Sequence, residues 1–204
     1  MTASLDPRHG LRTLRHTLAT ARDHLAKRAP HRRVMLKWLH WTLVPLLIWF
    51  VLVTPDDVMR IGMWAFRVHS VLGLVFVLLT LYWTADTLRR GLAGRPGPKL
   101  KGVARWLHPW LHRSLLLLMF GVAMTGFLIG LTSHVLLWAG GIVPIAPPLS
   151  MPSANRWWGE VHVYEFYVLT GVVIAHSGFH TWRHLWLKDN VLRIMAPKRF
   201  HRFL

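Results

Sequence analysis

The chain has 204 residues, 53% of them hydrophobic, and a formal net charge of +17; its mean hydropathy of +0.34 is too apolar for an ordinary soluble domain. The absence of cysteine excludes disulfides, thiolate metal ligands, iron–sulfur clusters and thioether-attached cofactors. The positive charges fall almost wholly between apolar segments, which suits a membrane orientation signal better than a nucleic-acid-binding face, so no nucleic-acid partner is expected.

Residues 1–33 form a polar, basic N-terminal extension. Leu11, Leu14, Leu18 and Leu25 recur there at helical spacing among Arg12, Arg15, Arg22 and Lys27, so the stretch reads either as an amphipathic helix on an anionic lipid surface or as a basic tail. Asp6 and Asp23 weaken a transit-peptide reading, and no cleavable signal is expected, because the apolar run begins only after position 33. The first membrane segment is expected over about Trp38 to Val53, with Pro45 removing one backbone donor and His40 just inside the basic end. A short turn with Pro55, Asp56 and Asp57 leads to a second segment, about Met63 to Ala85, with Arg67 and His69 near its start.

Residues 86–105 form a Gly/Pro-rich basic link, and a third segment comes next over about Trp106 to Leu131, with His108, His112 and Arg113 in its first turns. Gly121, Gly126 and Gly130 give this segment a small-residue stripe suited to close approach by another helix or a flat cofactor. The prolines and glycines between Thr132 and Trp157 predict an irregular loop rather than a further span. The last segment runs from Trp158 to Asn190 with histidines at 162, 176, 180 and 184, and residues 191–204 form a basic tail. Residues 34–190 therefore read as one domain, an all-α membrane protein with four transmembrane helices.

Charge sets the orientation. Nine Lys/Arg precede position 38, six lie in 86–105 and six from Arg183 onward, while the opposite loops hold Arg60, Arg67 and Arg156. The positive-inside rule thus puts both termini and the central link in the cytoplasm.

His162 and His176 are fourteen residues apart, nearly on one helical face and about 21 Å apart along the axis. A single histidine in a span is usually a packing residue, so depth-matched partners are needed. His40 shares the cytoplasmic depth of His176, and His69 shares the periplasmic depth of His162. Each pair can supply both axial imidazoles of a b-type haem, giving six-coordinate iron suited to electron transfer.

The elements WLHW (38–41), RVHSVLG (67–73), WLHRSLLLL (110–118) and the H-x13-H pattern ending in WLKDNVLRIMAPKR resemble the bacterial cytochrome b561 family over about residues 34–200. The resemblance implies a four-helix bundle of the bacterial inner membrane that holds two b haems between helices and passes electrons between ubiquinone and a periplasmic or membrane redox partner. It places the ligands on His40, His69, His162 and His176. It also matches His112 and His184 to family histidines; a surface or haem-edge role is expected for His112, and a solvated, propionate-contacting or quinone-lining role for His184. His180 continues the His176 face, where a solvated or propionate-contacting role is expected. Arg113 and Arg183 are candidates to neutralise haem propionates, or else snorkel to water. Gly73 leaves room either for a porphyrin or for helix packing.

Three functions stay open: a di-haem electron carrier linking the quinone pool to a second redox partner; a superoxide:ubiquinone oxidoreductase working at the periplasmic haem; and a non-redox role, as a metal transporter or as the membrane anchor of a larger complex. Periplasmic Arg60, Arg67 and Arg156 are offset by Asp56, Asp57 and Glu160, which gives superoxide no strong electrostatic funnel. A transporter is expected to carry carboxylates along its path, and Glu165 alone lies within an expected span.

Overall fold

The computed structural model describes residues 32–94, 96–139, 141–196 and 201–202. The amphipathic reading of residues 11–25 lies outside them. The chain divides into two compact units, Met1–Met35 and Leu36–Leu204. Only Arg32–Met35 of the first is described, as the opening turn of a helix, and the second carries the rest of the described fold.

In chain order the elements are α1 (Arg32–Leu52), α2 (Pro55–Ile61), α3 (Met63–Arg90), α4 (Gly102–Thr132), a hairpin of β1 (Leu137–Ala139) and β2 (Val143–Ala146), α5 (Pro152–Leu185) and α6 (Val191–Met195). The four long helices stand where the apolar runs predict them. Three of them, α1, α3 and α4, are long and apolar enough to cross a membrane. At 34 residues α5 also has ample length, about 51 Å against a hydrocarbon core of roughly 30 Å. It is less apolar because it carries Glu160, Glu165, Arg183 and four histidines.

Contacts between helix ends fix the directions. Trp41 of α1 donates its indole N–H to the Met195 carbonyl of α6 at 2.7 Å. Lys99, just before α4, donates to the Leu187 and Lys188 carbonyls just after α5. At the other end Asn155, early in α5, donates to Ile129 and Thr132 late in α4. One end of the bundle, here the basic end, therefore holds the start of α4, the end of α5 and the early turns of α1; the other is the hairpin end.

The core is a belt midway along the bundle: Leu43 and Leu46 from α1, Phe76 from α3, Val122 from α4 and Leu169 from α5 are buried against one another. Large apolar side chains such as Leu52, Leu78, Leu117 and Ile174 point outward, an arrangement that suits lipid and would promote association in water. Helices α4 and α5 make the most extensive contact of the long helices. The glycine stripe explains it: a Cβ at Gly121 would stand 2.8 Å from Glu165 Oε1, and one at Gly126 would stand 3.3 Å from His162 Cε1. Side chains of the neighbouring helix thus fill the stripe at Gly121 and Gly126, while Leu137 of β1 covers Gly130. Gly73 packs beside Phe50, whose Cζ would lie 4.0 Å from an added Cβ.

Several boundaries differ from expectation. The turn after α1 contains a full short helix, α2, opened by a capping box in which Thr54 Oγ1 accepts from the Asp57 N–H and Asp57 accepts from the Thr54 N–H. The Thr54 hydroxyl, donating to Asp57 Oδ2 at 2.6 Å, and then the Thr54 N–H hold the exposed Asp57 carboxyl below its ordinary range. The loop from 132 folds back as an antiparallel hairpin pairing Leu137 with Ala146 and Ala139 with Val143. Helix α5 starts at Pro152 rather than Trp158, since proline suits a first helical turn, and it ends at Leu185, short of Asn190. Lys188 and Asn190 take left-handed backbone conformations there. Helix α3 extends past Ala85 to Arg90 and so includes the buried Asp86.

Candidate metal centres

The core belt separates two groups of histidines. On α5, His162 and His176 each lie seven residues from the fully buried Leu169, on opposite sides of it, about 10 Å along the axis in each direction.

At the basic end α4 and α5 present histidines at i, i+4 spacing, which places successive side chains on one face: His108 and His112 from α4, His176, His180 and His184 from α5. Ring centroids of His108 and His112 are 4.5 Å apart, those of His112 and His176 4.8 Å, and those of His176 and His180 4.5 Å. His108, His112 and His180 each offer a ring nitrogen within 4.8 Å of the others. His112 Nδ1 lies 2.7 Å from the His108 carbonyl; a carbonyl only accepts, so the proton sits on Nδ1 and Nε2 keeps its lone pair. His40 packs edge-on against Trp41 and Trp83, with centroids at 6.1 and 6.5 Å, and lies within electrostatic reach of His112 and His176. The structure thus brings His40 and His176 into one neighbourhood and draws His108, His112 and His180 into it. His112 is part-buried among these rings rather than at the surface, and His108 is buried.

Arg183 is also buried. Its Nε and Nη2 hold Asp189 at 2.8 and 2.6 Å, and Asp189 accepts as well from the Val191 N–H. The aspartate of the Lys188-Asp189-Asn190 turn therefore clamps α5 to α6.

At the hairpin end His69 lies against α1. Its ring meets Phe50 edge-on at 5.0 Å, and the Trp49 indole N–H donates to its Nδ1 at 3.3 Å. His162 lies against α4, with Nδ1 2.9 Å from Thr125 Oγ1; the same hydroxyl donates to Glu165 Oε2 at 2.8 Å. Among the described residues no hydrogen bond or ring contact joins His69 to His162. A shallow hollow on the outer face of α5, lined by Arg156, Glu160, Tyr164 and Tyr167, contains neither.

The donor set fits a metal carrying anionic substituents. Among the described residues, five buried imidazole nitrogens, on His40, His108, His176, His180 and His184, have no hydrogen-bond partner, nor has Nη1 of Arg183. An unmatched buried polar atom costs roughly 1–3 kcal/mol. Imidazoles are ready ligands for iron, and a guanidinium is the natural partner of a carboxylate. His108, Thr125 and the assembly of the basic-end histidines were not evident from sequence as site residues; the repeated i, i+4 histidines and Glu165 in the last expected span were the available signals.

Comparison with curated proteins returns no match. A model of the prokaryotic cytochrome b561 family matches residues 31–198, more than four-fifths of the chain. The chain belongs to the prokaryotic cytochrome b561 family, and is thus a membrane protein of b-type haem electron transfer.

Proposed function

We propose that this protein is a four-span, di-haem electron carrier that links the quinone pool to a second redox partner. The observation that carries the reading is the placement of two histidine groups on either side of one apolar belt, seven residues above and below Leu169. His40 and His176 are the ligands at the basic end, and His69 and His162 those at the hairpin end. When bound between two neutral imidazoles, haem iron exchanges single electrons with little change in its ligation.

The protein's own residues do the rest. Leu43, Leu46, Phe76, Val122 and Leu169 exclude water from the level between the two sites. Arg183, held in place by Asp189, offers Nη1 to a propionate at the basic end. Lys37, Arg89, Arg90, Lys99, Lys101, Arg105, Lys188 and Arg193 all cluster at or beyond that end, which supports a cytoplasmic side for it under the positive-inside rule. The hairpin end then faces the periplasm of the inner membrane.

The test is reoxidation. Dithionite-reduced protein in detergent is expected to be reoxidised by a ubiquinone analogue, with both haems returning to the ferric spectrum. Failure of quinone to reoxidise either haem would contradict the quinone link, and fast superoxide-dependent quinone reduction would replace the carrier with an oxidoreductase.

A further inference from the structure

We infer that Thr125 and Glu165 form a positioning relay that sets the His162 imidazole with its proton on Nδ1 and its Nε2 free for iron, and that tunes the reduction potential of the hairpin-end haem alone. The inference rests on the di-haem reading and adds two residues to it.

A count of protons decides the tautomer. Thr125 Oγ1 is within hydrogen-bond range of the Gly121 carbonyl at 3.0 Å, the Val122 carbonyl at 3.2 Å and Glu165 Oε2 at 2.8 Å. All three are acceptors, and a hydroxyl has one proton to give. With that proton given to any of the three, an Oγ1 lone pair is left facing His162 Nδ1 at 2.9 Å. The ring must donate there, so its Nε2 is bare. The reverse tautomer would leave the Thr125 hydroxyl and the Glu165 carboxylate 2.8 Å apart with no proton between them.

The surrounding packing is shaped to the same end. Thr125 is buried. Gly121 and Gly126 flank it, and a Cβ on either would crowd Glu165 Oε1 at 2.8 Å or His162 Cε1 at 3.3 Å. Two glycines on α4 therefore make the space that the acid and the imidazole of α5 occupy. A carboxylate within a membrane helix is costly and is seldom kept without a role. A carboxylate bonded behind a metal-ligating histidine fixes the ring and raises its basicity; here one hydroxyl stands between the two. A more basic imidazole stabilises ferric over ferrous iron, so the relay lowers the potential of the haem it serves.

The test is a redox titration of the full-length protein carrying Thr125→Val or Glu165→Gln, read beside its low-spin ferric electron paramagnetic resonance spectrum. Both variants are expected to raise one of two midpoint potentials and shift one of two ferric signals, leaving the other haem unchanged. A tenfold loss of ferric preference reads as ~59 mV. Thr125→Ser, which keeps the hydroxyl, is expected to restore the wild-type potential. If both haems bind in Glu165→Gln and Thr125→Val with neither potential moved, the relay is wrong and the di-haem reading stands. A wild-type protein without haem overturns both. Should Thr125→Val fail to assemble, Glu165→Gln decides, because it preserves the side-chain size that fits against Gly121.

Discussion

At the hairpin end both candidate ligands are held by a group of another kind, His162 by Thr125 and His69 by Trp49, whereas at the basic end the imidazoles mostly face one another with nitrogens unmatched. The difference lies in how a ligand is made ready. Thr125 presets His162 in the tautomer that iron requires. Trp49 does the opposite for His69: an indole N–H only donates, so His69 Nδ1 accepts and its proton sits on Nε2. Iron binding at that nitrogen must break the 3.3 Å Trp49 bond and move the proton. Among the described residues the basic end has no such fixed partners for Nδ1 of His40 or His176, but it has neighbours of the same chemistry close by.

The largest expected effects come from removing one imidazole at each end. His162→Ala should lose the hairpin-end haem completely, because among the described residues no other histidine ring contacts His162. His176→Ala should lose the normal spectrum of the basic-end haem yet retain a fraction with altered ligation, since the His180 and His112 rings lie at 4.5 and 4.8 Å. Haem quantification and spectra of both variants make the check. An unchanged spectrum in His176→Ala together with loss in His180→Ala would move the ligand one turn along α5.

A smaller, one-sided effect is expected at the glycines. Gly126→Ala sets a methyl 3.3 Å from His162 Cε1, and a displaced ligand should weaken hairpin-end haem retention by about tenfold, the lower range for a disturbed supporting shell. Gly171→Ala and Gly178→Ala meet nothing within 4 Å and should be neutral, or stabilising by up to ~1 kcal/mol from helix propensity. Equal losses at both haems in Gly126→Ala would show that the two ends are not independent.

The smallest effect concerns pH. The Asp57 carboxyl is held low by Thr54, so the capping box contributes stability above the ordinary aspartate range and loses it as pH falls through the lowered value. Acidification should therefore lower the protection factors of amides in α2, at the hairpin end, relative to the unstructured rate at each pH, and Thr54→Val should weaken that dependence. Protection in α2 that falls equally with acid in Thr54→Val would assign the effect to another group.

The four long helices were legible because each contains an apolar run bounded by glycine, proline or charge, and such runs need no tertiary information. The depth of His40, His69, His162 and His176 came from the same runs. What could not be read was rotation. Sequence spacing puts His108 and His112 on one face of α4 but does not say that this face meets His180, and Thr125 is an ordinary small residue until α5 turns Glu165 toward it. Helix α2 and the β1–β2 hairpin were missed for a different reason: Pro55 and the proline-rich stretch after Thr132 signal a turn equally well whether a cap or a strand pairing comes next.

The central claim is that each histidine group holds one haem, and the most direct test is haem stoichiometry in the purified, fully loaded protein. Two low-spin b haems per chain, with little binding of carbon monoxide, are predicted, falling to one in His162→Ala and to none with normal ligation in the His162→Ala/His176→Ala double variant. A wild-type protein that saturates at one haem, or binds none, would contradict the account.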